Sequence, residues 1–267
     1  MPEIIKSLQN NRVKYLVGLK KDSRRKKEEI IIVEGIKENQ HALENQFKSI
    51  EYYICPGIFE HQPGNQLLSR LIRRFPVHQV SIPVYNKLAY RGSTEGIIGI
   101  YREKKQELDH IELSQNPFIL VAESIEKPGN LGALVRTADA ADMDAVIISN
   151  PRADVYNPNV IRASLGCVFT RHVITCNSSE AVSWLKKNQI QIVSTHLEGT
   201  RPYHKVNYNI PTAIVMGTEA TGLSETWKAN SDQLVIIPMK GKNDSLNVSV
   251  SAAIVIFEGI RQRETSS

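Results

Sequence analysis

The chain has 267 residues, 41% of them apolar, which is enough for two packed domains and long for one. Its 33 basic and 28 acidic side chains leave a net charge of +5, and its three cysteines (Cys55, Cys167, Cys176) are odd in number and lack CxxC spacing, so a disulfide framework and a zinc site are both disfavoured. No uninterrupted apolar run reaches about 18 residues, and the Met1 end has no signal-like apolar core. The expectation is a cytoplasmic protein with no membrane segment and reduced thiols, in which sequons such as those at Asn177 and Asn247 carry no meaning.

The basic charge is uneven. Residues 1–27 carry Lys6, Arg12, Lys14, Lys20, Lys21, Arg24, Arg25, Lys26 and Lys27 against only Glu3 and Asp22, either a polyanion-seeking surface or a solvated helix face followed by a charged turn. A helix is expected near residues 4–19, a strand at 30–33, a helix after Gly35 and a strand at 50–54. A helix at 67–74 and strands at 77–80 and 96–101 follow, making a compact α/β unit over 1–104. The polar stretch 105–116 reads as a linker. Beyond it, over 117–267, short β-branched runs at 118–122, 145–148, 172–175, 190–194, 213–216 and 234–237 alternate with helical segments, the pattern of a parallel sheet buried on both faces. A last helix is expected over about 245–261, with apolar residues at Leu246, Val250, Ala253, Ile254 and Phe257.

Three segments leave strands in positions where open α/β sheets hold ligands. In the first, residues 127–138, Asn130 is expected to cap a helix and Gly132 to permit close backbone approach. Arg136 lies almost two turns in, on the same wall or tied to Glu123. The second, residues 216–224, has the G-x-x-x-x-G outline of a phosphate loop, but Leu223 stands where the lysine belongs, so nucleotide hydrolysis is not supported. The third, residues 237–251, runs from a strand into a helix capped by Asp244 or Ser245. No strand-associated G-x-G-x-x-G supports a Rossmann-type enzyme.

Together the three segments resemble the signature motifs of the SpoU (TrmH-type) RNA ribose methyltransferases of the SPOUT superfamily, over roughly residues 118–261. The matching pieces are N-x-G-x-x-x-R-T-A at 130–138, G-x-E-x-x-G-L-S at 217–224, and I-P-M at 237–239 followed by S-L-N-V-S-V at 245–250. Residues 157–166 are similar to the family's N-P-x-x-x-R-A-S segment. The first hundred residues look like its ribosomal-protein-like substrate-binding domain, on Asn11-Arg12-Val13-Lys14 and Val33-Glu34-Gly35.

The resemblance implies an α/β fold: a small RNA-binding domain, then a parallel-sheet catalytic domain with a deep trefoil knot, working as a homodimer that completes each active site. It implies S-adenosyl-L-methionine as cofactor, no metal, and contacts from Thr195, His196, Leu197, Met216, Gly217, Gly222, Ile237, Met239 and Leu246. It assigns the reaction to Asn130, Arg136, Glu219, Ser245 and Asn247, with Arg136 the cation beside the developing alkoxide, since a guanidinium keeps its proton. Arg12, Lys14, Arg24, Arg25 and Arg162 are the expected phosphate contacts. The basic N-terminal domain points to 23S ribosomal RNA as the substrate. Transfer RNA, or a non-catalytic RNA-binding assembly role, stands as the alternative.

Overall fold

The computed structural model of the chain describes residues 4–90, 95–218 and 221–265. In chain order it forms α1 (Asn11–Gly18), α2 (Asp22–Glu28), β1 (Ile30–Glu34), α3 (Ile36–Glu44), β2 (Ser49–Ile54), α4 (Pro56–Phe59), α5 (Asn65–Ile72), β3 (Val77–Gln79), α6 (Ile82–Leu88) and β4 (Ile97–Arg102). Then come β5 (Phe118–Glu123), α7 (Pro128–Ala140), β6 (Ala145–Ser149), α8 (Pro158–Ala163), β7 (His172–Cys176), α9 (Ser178–Lys187), β8 (Gln191–Thr195), β9 (Arg201–Pro202), β10 (Thr212–Met216), α10 (Glu225–Asn230), β11 (Gln233–Ile236) and α11 (Val248–Thr265). The chain divides into two compact units: residues 1–104 with 156–170, and residues 105–155 with 171–267.

The first unit is built on a four-stranded sheet of order β1-β4-β2-β3, antiparallel except between β2 and β3. α1 buries Val13 and Leu16 in a core with Ile30, Ile32, Tyr53, Val84 and Leu88. The helix expected from residue 4 begins only at Asn11, because Ile5 bridges to Val80 as an extended segment and the Asn10 side chain accepts the Arg12 N–H to cap the helix. Residues 156–170 pack here, with Tyr156 and Phe169 gathered around the Phe47 ring.

Glu38, buried in this unit, is pushed up to about 7 chiefly by desolvation, with the nearby Glu95 carboxylate adding to the shift. A carboxyl that keeps its proton in the folded state and gives it up at ordinary pH when unfolded makes the native state the better proton binder between about 4.5 and 7. Stability should therefore fall as pH rises through that window, by about 3 kcal/mol from this group, and level off above it. Denaturant titrations followed by circular dichroism at pH 5 and pH 8 measure the slope, and Glu38→Gln should flatten it.

The second unit carries a seven-stranded, wholly parallel sheet of order β7-β6-β5-β10-β8-β11-β9. Side chains alternate along each strand. Ile119 and Val121 of β5 face a layer containing Trp184, Leu185 and Trp227 of α9 and α10. On the opposite face Phe118 lies against Gly259 of α11, which packs beside α7. Trp227 is fully buried, and its truncation to alanine would cost about 3 to 5 kcal/mol.

Residues 105–116 are not a free connector. A short 3-10 turn at Leu108–His110 turns Leu108, Ile111 and Leu113 onto the α9–α10 core, and the Ser114 and Phe118 N–H groups donate to Asp144. All three cysteines are free thiols, and burial pushes Cys176 up to about 12. Among the described residues no helix is long and apolar enough to cross a membrane, and no three His, Cys, Asp or Glu side chains converge as a metal site.

Candidate active site

β8, β10 and β11 are neighbours in the sheet, and all three run parallel, so the segments that leave them emerge side by side at one end. These segments, with the residues leading into α11, enclose a cavity of about 540 Å³, the size of a nucleoside-type ligand site. Thr195, His196 and Leu197 line it from β8, Met216, Gly217 and Gly222 from β10, Ile237 and Met239 from β11, and Ser245, Leu246 and Asn247 from the approach to α11.

Each wall is fixed by backbone bonds. The His196 N–H donates to Val235 O at 2.9 Å, and the Glu198 N–H donates to His196 Nδ1 at 3.1 Å. Nδ1 is therefore the accepting nitrogen, which leaves the ring proton on Nε2. After β10 the chain folds back on itself, with Thr218 and Gly222 exchanging N–H···O bonds of 3.0 and 3.1 Å. Gly222 holds φ at +67°, and a Cβ on Gly217 would lie 2.4 Å from the Gly222 carbonyl carbon, so both glycines are set by the turn.

The approach to α11 is capped differently from the sequence expectation. Asn247, not Asp244 or Ser245, accepts the Ser249 N–H at 3.0 Å and the Ser249 hydroxyl at 2.6 Å, so the helix starts at Val248. Ser245 Oγ faces its neighbour Asp244 Oδ1 at 3.3 Å. Asn247 Nδ2 also donates to Asn130 Oδ1 at 3.2 Å, tying the first turn of α7 to this wall. Asn130 is not the α7 cap: Lys127 holds that position with Pro128 beginning the helix, and Asn130 sits within the first turn.

Arg136 does not share Asn130's wall. Six residues along an α-helix amount to about 9 Å of rise and about 240° of rotation. Arg136 is exposed, lines none of the cavity, and forms no hydrogen bond or ion pair with a described residue. Glu123, offered as its partner, is instead buried and bonded to Ser178 and Ser224. Glu219 lies outside the described residues.

The basic residues of the first unit differ in availability. Lys14 and Arg162 are exposed. Arg12 is half exposed but donates to Glu51 at 2.8 Å, and Arg24 pairs with Glu28 at 2.8 Å and lies over the Tyr15 ring. Arg25 must be removed from the phosphate-binding set: it is 1% exposed, donates to the carbonyls of Leu19 and Lys20, and pairs with Asp22. Its guanidinium holds α2 in place, and a phosphate could reach it only by breaking those bonds.

Sequence reasoning missed Thr218, Thr221, Val235, Ile236, Val248 and Ser251, which complete the cavity lining, and Glu198 and Asp244, which bring carboxylates to its rim. All but Glu198 lie within or beside segments already singled out, so counting whole loops rather than motif letters would have found them. Glu123 had one signal, a lone carboxylate ending an otherwise apolar strand.

A parallel sheet with its cavity outside the carboxyl ends of adjacent strands places the chain among the α/β proteins that hold a ligand at the strand ends. Residues 117–257 match the model of the SpoU rRNA methylase family, and the chain belongs to that family. Residues 10–99 match the MRM3-like substrate-binding domain. The chain is 34% identical over 222 residues to the 23S rRNA (guanosine-2′-O-)-methyltransferase RlmB of Haemophilus ducreyi, spanning 80% of this chain and 90% of that one. A crystal structure of an RNA 2′-O ribose methyltransferase superposes with a TM-score of 0.87 at 35% identity, covering 98% of this chain and all of the other. The AdoMet-bound rRNA methyltransferase from Sinorhizobium meliloti gives a TM-score of 0.87 at 26% identity, with 97% of each chain covered.

Proposed function

We propose that this protein transfers the methyl group of S-adenosylmethionine to a ribose 2′-hydroxyl of 23S ribosomal RNA, acting as a homodimer in the cytoplasm. The observation that carries the reading is the convergence of two motif-bearing segments, 216–224 and 237–251, with the Thr195–Glu198 segment on one cavity at the ends of three adjacent strands, the Asn130 of the first motif being bonded to Asn247 at its wall. The residues present fit the cofactor. Apolar side chains of Met216, Ile237, Met239 and Leu246 suit an adenine face, backbone groups at the strand ends suit its polar edge, and the rim carboxylates of Glu198 and Asp244 suit a ligand bearing positive charge.

When bound, the cofactor supplies an electrophilic methyl group on a sulfonium. The chain's own residues do the rest. Thr195–Leu197, Met216–Gly217 and Ile237–Met239 hold the ligand and exclude water from it. Asn247, anchored as the α11 cap and bonded to Asn130, ties the first turn of α7 to the cavity wall and fixes the surface the ribose would meet. Arg136, permanently charged, steadies the hydroxyl oxygen as its proton passes to solvent water. Because Arg136 is exposed and outside its own chain's cavity, it is assigned to the cavity of a second copy. The exposed apolar residues Val250 and Phe257 of α11 support that pairing. The insertion of β10 between β5 and β8 likewise supports the family's trefoil knot. In the first unit, Lys14 and Arg162 are the phosphate contacts, with Arg12 and Arg24 joining on exchange of their carboxylate partners.

The test is transfer of labelled methyl from S-adenosylmethionine into size-resolved RNA from cells lacking the gene. Label in 23S RNA that resists alkali at one ribose is the expected result. Label in transfer RNA would keep the chemistry and change the substrate. Tight RNA binding with no label in any fraction would overturn methyl transfer in favour of an assembly role.

A further inference from the structure

We infer that Glu123 is a positioning residue for the cofactor loop, acting through Ser224; the inference rests on the methyl-transfer reading of the cavity. Glu123 ends β5 and is 2% exposed. Burying a carboxylate is costly unless its oxygens are satisfied. Here Oε2 accepts the Ser224 N–H at 2.8 Å, and Oε1 accepts the Ser224 hydroxyl at 2.7 Å and the Ser178 hydroxyl at 2.8 Å. Ser178 Oγ in turn accepts from Trp227 Nε1 at 3.0 Å and from Asn150 Nδ2 at 2.8 Å.

One carboxylate thus holds two arms. The Ser178 arm ends in the hydrophobic layer under Trp227. The Ser224 arm ends on the segment 217–224, whose residues Gly217, Thr218, Thr221 and Gly222 line the cavity. That segment is pinned at its other end by the pairing of Met216 with Ala122 on β5 itself. Both ends of the loop are therefore referred to one strand, and the Glu123 bidentate clasp sets where the loop stands. A neutral packing residue at 123 would leave the Ser224 N–H and hydroxyl to find other partners, and the loop would settle elsewhere.

The two arms can be separated experimentally. Ser224→Ala removes the hydroxyl bond from the loop arm, Ser224→Thr restores a hydroxyl, and Ser178→Ala cuts the other arm. S-adenosylmethionine affinity is read by calorimetry on the full chain, the folded state by thermal melting, and KM and kcat with ribosomal RNA. A hydrogen bond to a charged group is worth about tenfold in an equilibrium constant, here the one between the loop's binding-competent position and its alternatives, and affinity follows that fraction. Ser224→Ala should weaken S-adenosylmethionine binding and raise its KM by about that factor with kcat little changed, Ser224→Thr should recover most of the affinity, and Ser178→Ala should lower the melting temperature without moving the affinity. Unchanged affinity in Ser224→Ala, or an equal loss in Ser178→Ala, would reduce Glu123 to a structural residue and overturn the inference. Failure of the unsubstituted protein to bind S-adenosylmethionine would remove the methyl-transfer reading itself, a result distinguishable because it precedes any substitution.

Discussion

Arg136→Ala should cut the methylation rate by about a hundredfold to a thousandfold while leaving S-adenosylmethionine affinity unchanged, because the loss of one preorganised partner of a developing oxyanion is worth about 2.7 to 4 kcal/mol. The split follows from position. On the proposed assignment Arg136 reaches a second copy's cavity at the reacting ribose oxygen, while the walls that hold the cofactor are the strand-end segments of that copy, so its removal falls on the rate rather than on cofactor binding. Arg136→Lys tests whether charge alone suffices; the planar fork of arginine also orients its partner, so lysine should recover only part of the rate. Single-turnover rates, with calorimetric binding beside them, measure both quantities. A rate within about tenfold of the original enzyme would remove Arg136 from the chemistry.

Gly217→Ala should abolish measurable cofactor binding. The added methyl would stand 2.4 and 2.5 Å from the Gly222 carbonyl carbon and oxygen and 2.7 Å from the Leu223 nitrogen, and all three obstructing atoms are backbone. No rotamer change relieves such a clash, so the Thr218–Gly222 turn must open and the cavity wall moves with it. Gly129→Ala is the matched control: nothing lies within 4 Å of its Cβ position, and it sits in the first turn of α7, where alanine favours the helix by about 0.5 to 1 kcal/mol. Calorimetry should find no heat of S-adenosylmethionine binding for the first variant and an ordinary isotherm for the second. Normal binding by Gly217→Ala would mean that this loop is not part of the cofactor site.

The strands of the second unit other than the two-residue β9 were legible because a parallel sheet covered on both faces demands short unbroken apolar runs, and runs such as FILVA and TAIVM admit little else. The cavity was legible for a related reason. Loops leaving the carboxyl ends of such strands are where ligands bind, and the motif letters fell in those loops. What stayed hidden depended on tertiary partners. α2, with the sequence DSRRKKE, shows no apolar period and is held by the buried Arg25 guanidinium reaching back to the end of α1. The early start expected for α1 failed because a single backbone bridge to Val80 pulls Ile5 into extended form. The start of α11 moved by three residues because Asn247 outcompeted Ser245 as cap, and local propensity ranks the two almost equally. Arg25 and Arg162 look alike as letters, yet one is enclosed and the other is not, a distinction only the packed structure makes.

The strand order also constrains how the molecule comes to be folded. β10 pairs on one side with β5, about ninety residues earlier, and on the other with β8, so β5 and β8 acquire their shared neighbour only once residues 212–216 are in place. Until then each presents an unpaired apolar edge, the kind of surface on which unfinished chains associate. Contacts this distant in sequence also carry a loop-closure cost that must be met before they reward it. A nascent chain halted near residue 200 would hold most of the sheet's strands yet lack the one that joins its two halves, so its maturation is tied to synthesis running on through β10, and its refolding from denaturant should be slow and sensitive to protein concentration.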